Sequence, residues 1–177
     1  MKAIFASQRA ATLAAFLAGA LSVAGFAPLG ASPLPFLTLA GVLALWQRAP
    51  SPRAGLRTGF AFGAGLFGVG ASWVYVSLHD FGLMPAPLAA VATLLYCAVL
   101  ALYPAAAGWA FVHLRRGARV AALVAFPALW TLSEWLRAWV LSGVPFLTLG
   151  YSQIDTPLAG FAPVLGVFGV SFATALC

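Results

Sequence analysis

Residues 130–157 read WTLSEWLRAWVLSGVPFLTLGYSQIDTP. The first half places Glu134 and Arg137 inside an apolar, tryptophan-rich segment that is long enough to cross a bilayer. A charged side chain at membrane depth costs roughly 2.5–3.5 kcal/mol on insertion scales, so such residues usually face the interior of a helical bundle and mark function. The second half, interrupted by glycine and proline, suits a membrane–water boundary. The stretch predicts an α-helical membrane protein with two charged residues in its interior.

The composition of the whole chain agrees with this prediction. Hydrophobic residues make up 63% of the sequence and charged residues 7%, whereas soluble domains carry about 25% charged residues. This chain has too little polar surface for a water-soluble globule, so we interpret it as an integral membrane protein. The net charge of +6 comes from residues at the ends of apolar segments, which favours a role in membrane topology over nucleic-acid binding.

Apolar runs bounded by glycine, proline and arginine predict an all-α bundle, a single transmembrane domain over residues 1–177 with about six spans. The second span is short, because a crossing needs about 20 residues. The last span is still apolar at Cys177, so we expect the chain to be the front part of a longer protein. Residues 142–157 are predicted to lie in the interface. The predicted spans are 10–27, 33–46, 58–78, 87–114, 120–141 and 158–177.

The distribution of basic residues predicts the orientation. With alternating spans, eight of the nine basic residues lie on one side, and the opposite loops (28–32, 79–86 and 142–157) contain none. Cytoplasmic loops carry the excess of lysine and arginine, so we expect the N-terminus to be cytoplasmic. The eight residues are Lys2, Arg9, Arg48, Arg53, Arg57, Arg115, Arg116 and Arg119.

A cleaved signal peptide is an alternative for the first segment. Lys2 and Arg9 would form its charged region, and the small residues Ala18–Ala20 its cleavage site. The apolar run continues past that site, and cleavage would spoil the alternation of charge, so a first membrane span is favoured.

Trp130, Glu134 and Arg137 stand at i, i+4 and i+7 and therefore share one helix face. A Glu–Arg pair could neutralise itself, and burying one partner alone would cost far more than burying both. Two interpretations remain open. The pair is either a structural ion pair that locks helix packing and holds the following loop, or the polar floor of a cavity for a lipid headgroup.

The third span combines small residues with a polar, aromatic end. Gly59 and Gly63 form a Gly-xxx-Gly pair, which allows close approach of a neighbouring helix. Trp73, Tyr75, Ser77 and His79 follow at the predicted outer boundary. An aromatic belt explains the rings by itself, and a lipid-headgroup site is the functional alternative. The adjacent His79 and Asp80 are better explained as a solvated loop pair than as a proton shuttle.

The remaining candidates concern the loop and the cysteines. Phe146, Tyr151 and Gln153 lie in the interfacial loop, which could serve as a platform for another domain. Cys97 and Cys177 show no metal-ligand spacing and are interpreted as small core hydrophobes. We expect no metal and no cofactor.

Several motifs together resemble the membrane domain of bacterial apolipoprotein N-acyltransferases, in the family's order and over nearly the whole chain. None is specific alone. Phe146 stands where the family commonly has tryptophan, and Ala138 where it commonly has glycine. The motifs are Gly25–Pro28, Ser72–Ser77 with Phe81–Gly82, Pro127–Trp130, Glu134–Arg137, Gly143–Leu147, Gly150–Gln153 and Ala162–Gly166.

The resemblance implies a bacterial inner-membrane enzyme that transfers a fatty acyl chain from a phospholipid, typically phosphatidylethanolamine, to the α-amino group of a lipoprotein's diacylglyceryl-cysteine. It also implies a periplasmic nitrilase-like domain with a Glu-Lys-Cys triad, in which the thiolate carries the acyl group as a thioester. No such triad can be drawn from Glu134, Lys2 and Cys177. We therefore assign no catalytic residue in this chain and expect the chain alone to be inactive.

The resemblance implies that this chain has the role of the enzyme's membrane domain. It would hold the catalytic domain at the outer face and admit lipid between helices, with Trp73, Tyr75, Ser77 and His79 near the lipid entry. Glu134 and Arg137 would organise the fifth span beneath that domain. The rivals are a small transporter or channel in which Glu134 and Arg137 line a path, and a scaffold whose partner carries the chemistry. A transporter would more often show paired repeats, which this sequence lacks.

Overall fold

The computed structural model describes residues 2–115, 119–140 and 143–177, and every regular element within these ranges is helical. Arg116 and Ser142, which entered the predictions of orientation and loop position, lie outside them. Among the described residues, short 3-10 turns at Val23–Gly25, Leu149–Gln153 and Pro157–Phe161 connect helices. The helices are α1 (Lys2–Ser22), α2 (Pro33–Arg48), α3 (Pro52–Gly70), α4 (Trp73–Val76), α5 (Ala86–Leu114), α6 (Arg119–Trp139) and α7 (Ala162–Leu176).

Among the described residues, two helical segments are long and apolar enough to cross a membrane by length and composition. They are α5, with 29 residues, and the 20 residues Pro157–Leu176 that end in α7. A third candidate span consists of helix α3, helix α4 and the turn after α4, if this bent pair of segments is counted as one span. Helix α2 has only 16 residues, and α6 carries Glu134 and Arg137. The composition supports a membrane protein, and the count of six spans stays a prediction.

The third predicted span, 58–78, is not one straight helix. Helix α3 ends at Gly70, α4 follows after two residues, and a π-helical turn continues over Ser77–Phe81. The two parts are bent by 50°. The sixth span is also interrupted, because Gly166 has a φ of 66° inside α7. Apolar composition defined both segments in the sequence, but composition carries no information about such a bend.

Helix α3 lies at the centre of the bundle, between α1 and α5, because glycines on its surface allow close contact. A Cβ at Gly59 would lie 2.3 Å from the Pro104 carbonyl oxygen, and one at Gly55 would lie 2.4 Å from that of Gly108. On another face of α3, a Cβ at Gly65 would lie 2.1 Å from the Phe16 carbonyl oxygen of α1. The order of these contacts makes α3 and α5 antiparallel.

Five aromatic side chains from four helices fill the space between the helices. Trp46 is fully buried, and its ring centroid lies 5.5–6.3 Å from three of the others. Offset and edge-on contacts at such distances are favourable beyond the burial of apolar area. This aromatic cluster consists of Trp46, Phe62, Phe111, Phe126 and Trp130.

The basic segments meet at one end of the bundle. Arg57 Nη2 donates to Gln8 Oε1 at 3.0 Å, which joins α3 to α1. The Arg115 guanidinium, at the end of α5, donates to the carbonyl oxygens of Gln47 and Ala49 at the end of α2. These contacts place the basic loops on the same side, as the charge pattern requires, and the side of the membrane stays a prediction.

Replacing Gly59 by alanine should destabilise the bundle, whereas the same change at Gly68 should not. The added methyl at Gly59 meets the backbone of α5, but at Gly68 no atom lies within 4 Å. Overpacking of this kind costs roughly 1–3 kcal/mol, so thermal unfolding in detergent should show a Tm lower by about 5 °C for Gly59→Ala. Because alanine is favoured over glycine in helices, Gly68→Ala should keep or raise the Tm. Equal effects at both positions would refute the close packing of α3 on α5.

Candidate functional site

The Glu134 side chain is 5% exposed and connects the aromatic cluster to the loop after α6. Its Oε1 accepts hydrogen bonds from Trp130 Nε1 at 3.1 Å and from the Leu149 backbone N–H at 2.8 Å. The Ser171 hydroxyl, which accepts from the Gly150 N–H at 2.8 Å, lies beside the carboxylate. No hydrogen bond of good geometry reaches Oε2 from the described residues. One carboxylate oxygen thus anchors a loop to α6.

The Arg137 side chain, 3% exposed, holds the same loop at an earlier point. Its Nη1 donates to the carbonyl oxygens of Val144 and, at 2.6 Å, of Phe146, while Nη2 donates to Thr148 Oγ1 at 3.3 Å. The guanidinium also lies over the Phe67 ring, 5.2 Å from its centroid. A planar cation with five donors suits this task, because backbone carbonyls in an apolar region need partners.

Glu134 and Arg137 do not form the direct ion pair that the first of the two interpretations included. Within the described residues, no contact of 4.0 Å or less joins the Glu134 carboxylate to the Arg137 guanidinium. The two groups lie one turn apart and bind successive parts of the loop. The structural interpretation of the pair is right in one respect, because both charged side chains hold the loop that follows α6.

The backbone between these two anchors has an unfavourable conformation. Leu147 has a φ of 56°, in the left-handed region that costs a non-glycine residue roughly 1–2 kcal/mol. Such a residue persists where its surroundings over-determine it. Here Arg137 fixes the preceding carbonyl, and the Leu147 side chain packs against Gly70 at the end of α3.

A cavity of about 510 Å³ opens at this end of the bundle, opposite the basic loops. It lies between the turn after α1, the start of α4 and the loop before α7. Trp73 borders it and packs edge-on against Phe146 with 6.0 Å between ring centroids. Tyr151 and Asp155 also line it. The cavity therefore combines aromatic surface with one carboxylate.

The other residues of the predicted lipid entry lie apart from this cavity. The Tyr75 ring lies against His79 with 5.4 Å between centroids. His79 Nδ1 is 2.8 Å from the Met84 carbonyl oxygen, and its Nε2 is 4.0 Å from Asp80. Ser77 begins the π-helical turn and is exposed. The four residues share the bent segment, but only Trp73 lines the cavity.

The interfacial loop residues differ from one another in position. Tyr151 is half exposed at the cavity, as a residue in an interface would be. Gln153 is fully buried, and its Nε2 donates to the Ser32 carbonyl oxygen at 3.1 Å and to Ser152 Oγ at 2.9 Å. It joins the loop before α7 to the loop before α2. The Gln153 side chain therefore packs within the protein, while the interfacial position of the loop stays a prediction.

Sequence reasoning missed the partners of the charged pair. Thr148 and Ser171 are fully buried, and Leu149 contributes only a backbone N–H. A serine or threonine within an apolar run gives little signal, because it can equally bond to its own helix. The Gly25–Pro28 motif contributes only to the family resemblance in the sequence, but in the structure its residues Phe26 and Pro28 line the cavity.

Comparisons with known proteins identify the family of the chain. The family model described as apolipoprotein N-acyltransferase N-terminal domain matches residues 18–177. The chain belongs to that family. It is 52% identical over 162 residues to the apolipoprotein N-acyltransferase of Nitrosomonas europaea, and this alignment covers 90% of the chain. It is 46% identical to the protein of that name from Coxiella burnetii over 163 residues, and 45% identical to that from Methylococcus capsulatus over 167 residues.

The alignments with the Coxiella burnetii and Methylococcus capsulatus proteins cover 91% and 94% of the chain, respectively. All three alignments cover only 32–33% of the relatives themselves. The chain therefore spans about a third of the length of the N-acyltransferases it matches.

Removing the Glu134 carboxylate should free the loop, whereas replacing it by an amide should not. Glu134→Ala leaves the Leu149 N–H without its acceptor, and an unsatisfied buried donor costs roughly 1–3 kcal/mol. Hydrogen exchange of the Leu149 amide should accelerate by about tenfold or more. Glu134→Gln keeps a carbonyl oxygen for Leu149 and Trp130, and exchange should stay close to wild type. If both variants exchange alike, the negative charge rather than the acceptor position holds the loop.

Proposed function

We propose that this chain is the membrane part of an apolipoprotein N-acyltransferase. The complete enzyme transfers a fatty acyl chain from a phospholipid of the phosphatidylethanolamine type to the N-terminal amine of a diacylglyceryl-cysteine lipoprotein. The observation that carries the proposal is the family match over residues 18–177. The loop held by Glu134 and Arg137 supports it, because it gives the bundle a rigid, partly aromatic surface at one end.

The proposed location is the bacterial inner membrane, with about six spans and a cytoplasmic N-terminus. The contacts of Arg57 and Arg115 bring the basic loops to one end, and the cavity lies at the other. The antiparallel packing of α3 on α5 fits alternating spans. In this orientation the loop over residues 143–157 faces the periplasm, where the rest of the enzyme would rest on it.

The covalent chemistry belongs to the part of the enzyme outside this chain. Acyl transfer through a thioester needs an activated thiolate and a base within hydrogen-bond reach. Of the two cysteines here, Cys97 is buried, as predicted, and its Sγ is 3.4 Å from the Phe67 carbonyl oxygen. Cys177 is exposed, so its interpretation as a core hydrophobe is wrong. Glu134 is engaged with the loop. We therefore propose that the 177 residues alone are inactive and that their task is to position lipid and catalytic domain.

We assign lipid access to the end of the bundle at which the cavity lies. Trp73 is 56% exposed and stands at the cavity rim, where an amphipathic ring suits the headgroup level. The 50° bend beside Trp73 turns α4 away from the axis of α3. We propose that a lipid reaches the cavity laterally at this bend. Tyr75, Ser77 and His79 lie further along the same segment and would border that route.

A transporter or channel is the rival proposal. It requires Glu134 and Arg137 to line an open path, but both are engaged with the protein's own loop. The cavity next to Glu134 measures only about 10 Å³, about the volume that one water needs. The contacts of the described residues thus favour a structural task for the pair.

The proposed function is tested by fusing this chain to the remaining residues of the Nitrosomonas europaea relative. The chimera is expressed in cells depleted of their own N-acyltransferase, beside the chain alone and the intact relative. We expect the chimera to restore acylation of lipoprotein N-termini, measured by mass spectrometry, and the chain alone to restore none. A chimera that inserts and unfolds normally but leaves N-termini free would contradict the proposal, as would activity of the chain alone.

In the chimera, Trp73→Ala should weaken use of the phospholipid donor. We expect KM for the donor to rise severalfold with kcat nearly unchanged, because the ring contributes to binding rather than to chemistry. Trp109→Ala is the matched control, since this exposed tryptophan lies on α5 near the basic end. A fall in kcat without a change in KM, or an equal effect of both variants, would rule out lipid entry at Trp73.

A further inference from the structure

A second groove lies on the opposite half of the bundle, between α1 and α3, and the proposed acyl transfer does not use it. Its volume is about 520 Å³. The rim carries two exposed arginines, Arg9 and Arg57, and the interior is almost entirely apolar. Beyond Arg9 and Arg57, the groove is lined by Thr12, Leu13, Phe16, Phe60, Ala61 and Ala64.

The two arginines have no carboxylate of this chain to neutralise them. The sequence contains three acidic residues, and all of them lie elsewhere. Asp80 is beside His79, Glu134 holds the loop after α6, and Asp155 lines the cavity at the far end. Two like charges on one rim repel each other, so the groove favours an anion supplied from outside.

The geometry keeps donors available for that anion. Gln8 Oε1 accepts one hydrogen bond from Arg57 at 3.0 Å. This bond holds the Arg57 guanidinium beside Gln8, which directly precedes Arg9 in the chain. A guanidinium has five N–H donors, so Arg57 retains several. Arginine matches the oxygens of a phosphate in planar, bidentate geometry.

The apolar part of the groove extends away from the arginines into the bundle. From Arg9 to Phe16, and equally from Arg57 to Ala64, the helices advance seven residues, or about 10 Å. Half-buried and exposed apolar side chains, including Leu13 and Phe16, line this distance. A free phosphate would use only the rim, whereas an acyl chain would also cover the apolar walls.

We propose that this groove binds an anionic phospholipid, with the phosphate at Arg9 and Arg57 and an acyl chain along α1 and α3. Basic pockets between membrane helices at the cytoplasmic side are suited to anionic headgroups. The site is separate from the cavity at Trp73 and does not depend on the proposed acyl transfer. The bound lipid would bridge α1 and α3 along the groove, next to the Arg57–Gln8 hydrogen bond that joins the two helices at the rim.

The test measures lipid binding to the purified protein in detergent by native mass spectrometry. Phosphatidylglycerol and phosphatidylethanolamine with identical acyl chains are compared. We expect tighter binding of phosphatidylglycerol, and each of Arg9→Gln and Arg57→Gln should raise its Kd by about fivefold. Arg53→Gln, an exposed arginine at the same end of α3 that does not line the groove, should leave the Kd unchanged.

A second pair of variants tests the apolar walls without changing charge. Ala64→Phe should fill the groove and weaken phosphatidylglycerol binding, while Ala92→Phe, on half-buried surface of α5 outside the groove, should not. The proposal is overturned if Arg53→Gln weakens binding as much as the rim variants, because the charge of the whole end would then be responsible. It is also overturned if inorganic phosphate competes fully and Ala64→Phe has no effect, since the ligand would then be a free phosphate. Unchanged Tm values for the variants confirm that folding is preserved.

Discussion

Backbone polar groups that enter an apolar region must find partners, and the loop after α6 meets this constraint through two side chains of the preceding helix. Glu134 supplies an acceptor for the Leu149 N–H, and Arg137 supplies donors for the Val144 and Phe146 carbonyls. In water these groups would be satisfied at no cost, but where water is excluded each unpaired group costs several kcal/mol. The two charged side chains are thereby held in a buried position that charged residues usually avoid. The position of the cavity and the left-handed backbone at Leu147 both follow from this anchoring.

The anchor is itself connected to the packing of the bundle. Trp130 belongs to the aromatic cluster and donates its indole N–H to Glu134, so the position of the carboxylate depends on contacts from α2, α3 and α5. The Phe67 ring of α3 supports Arg137 from the other side. Because α3 is held between α1 and α5 by close glycine contacts, the loop rests against a helix that is itself closely packed. A surface that supports another domain benefits from such rigidity.

Much of the helical architecture could be predicted from the sequence, because apolar runs and breaker residues are direct consequences of the bilayer and of backbone sterics. Five of the six predicted spans each overlap one α-helix of the described residues, and the third overlaps both α3 and α4. The family resemblance follows from short motifs in a fixed order. The contacts of the charged pair were harder to predict. Spacing placed Glu134 and Arg137 on one face, but an ion pair and a loop anchor produce the same spacing. The partners of the pair are mostly backbone atoms, which any residue type can provide. The buried position of Gln153 was missed for a related reason, since its partner Ser32 lies far away in the sequence and is used only through its carbonyl oxygen.

The position of the basic residues at one end also affects the energy of the bundle in the voltage across a membrane. The voltage across an energised membrane acts on each charge with about 2.3 kcal/mol per 100 mV. In the proposed orientation, turning the bundle over would carry eight basic side chains against that field, at a cost of about 18 kcal/mol at 100 mV. The acidic residues Asp80 and Asp155 stand at the other end and add to the same bias. Respiration would therefore maintain the topology that insertion establishes, without any contact between this protein and a partner.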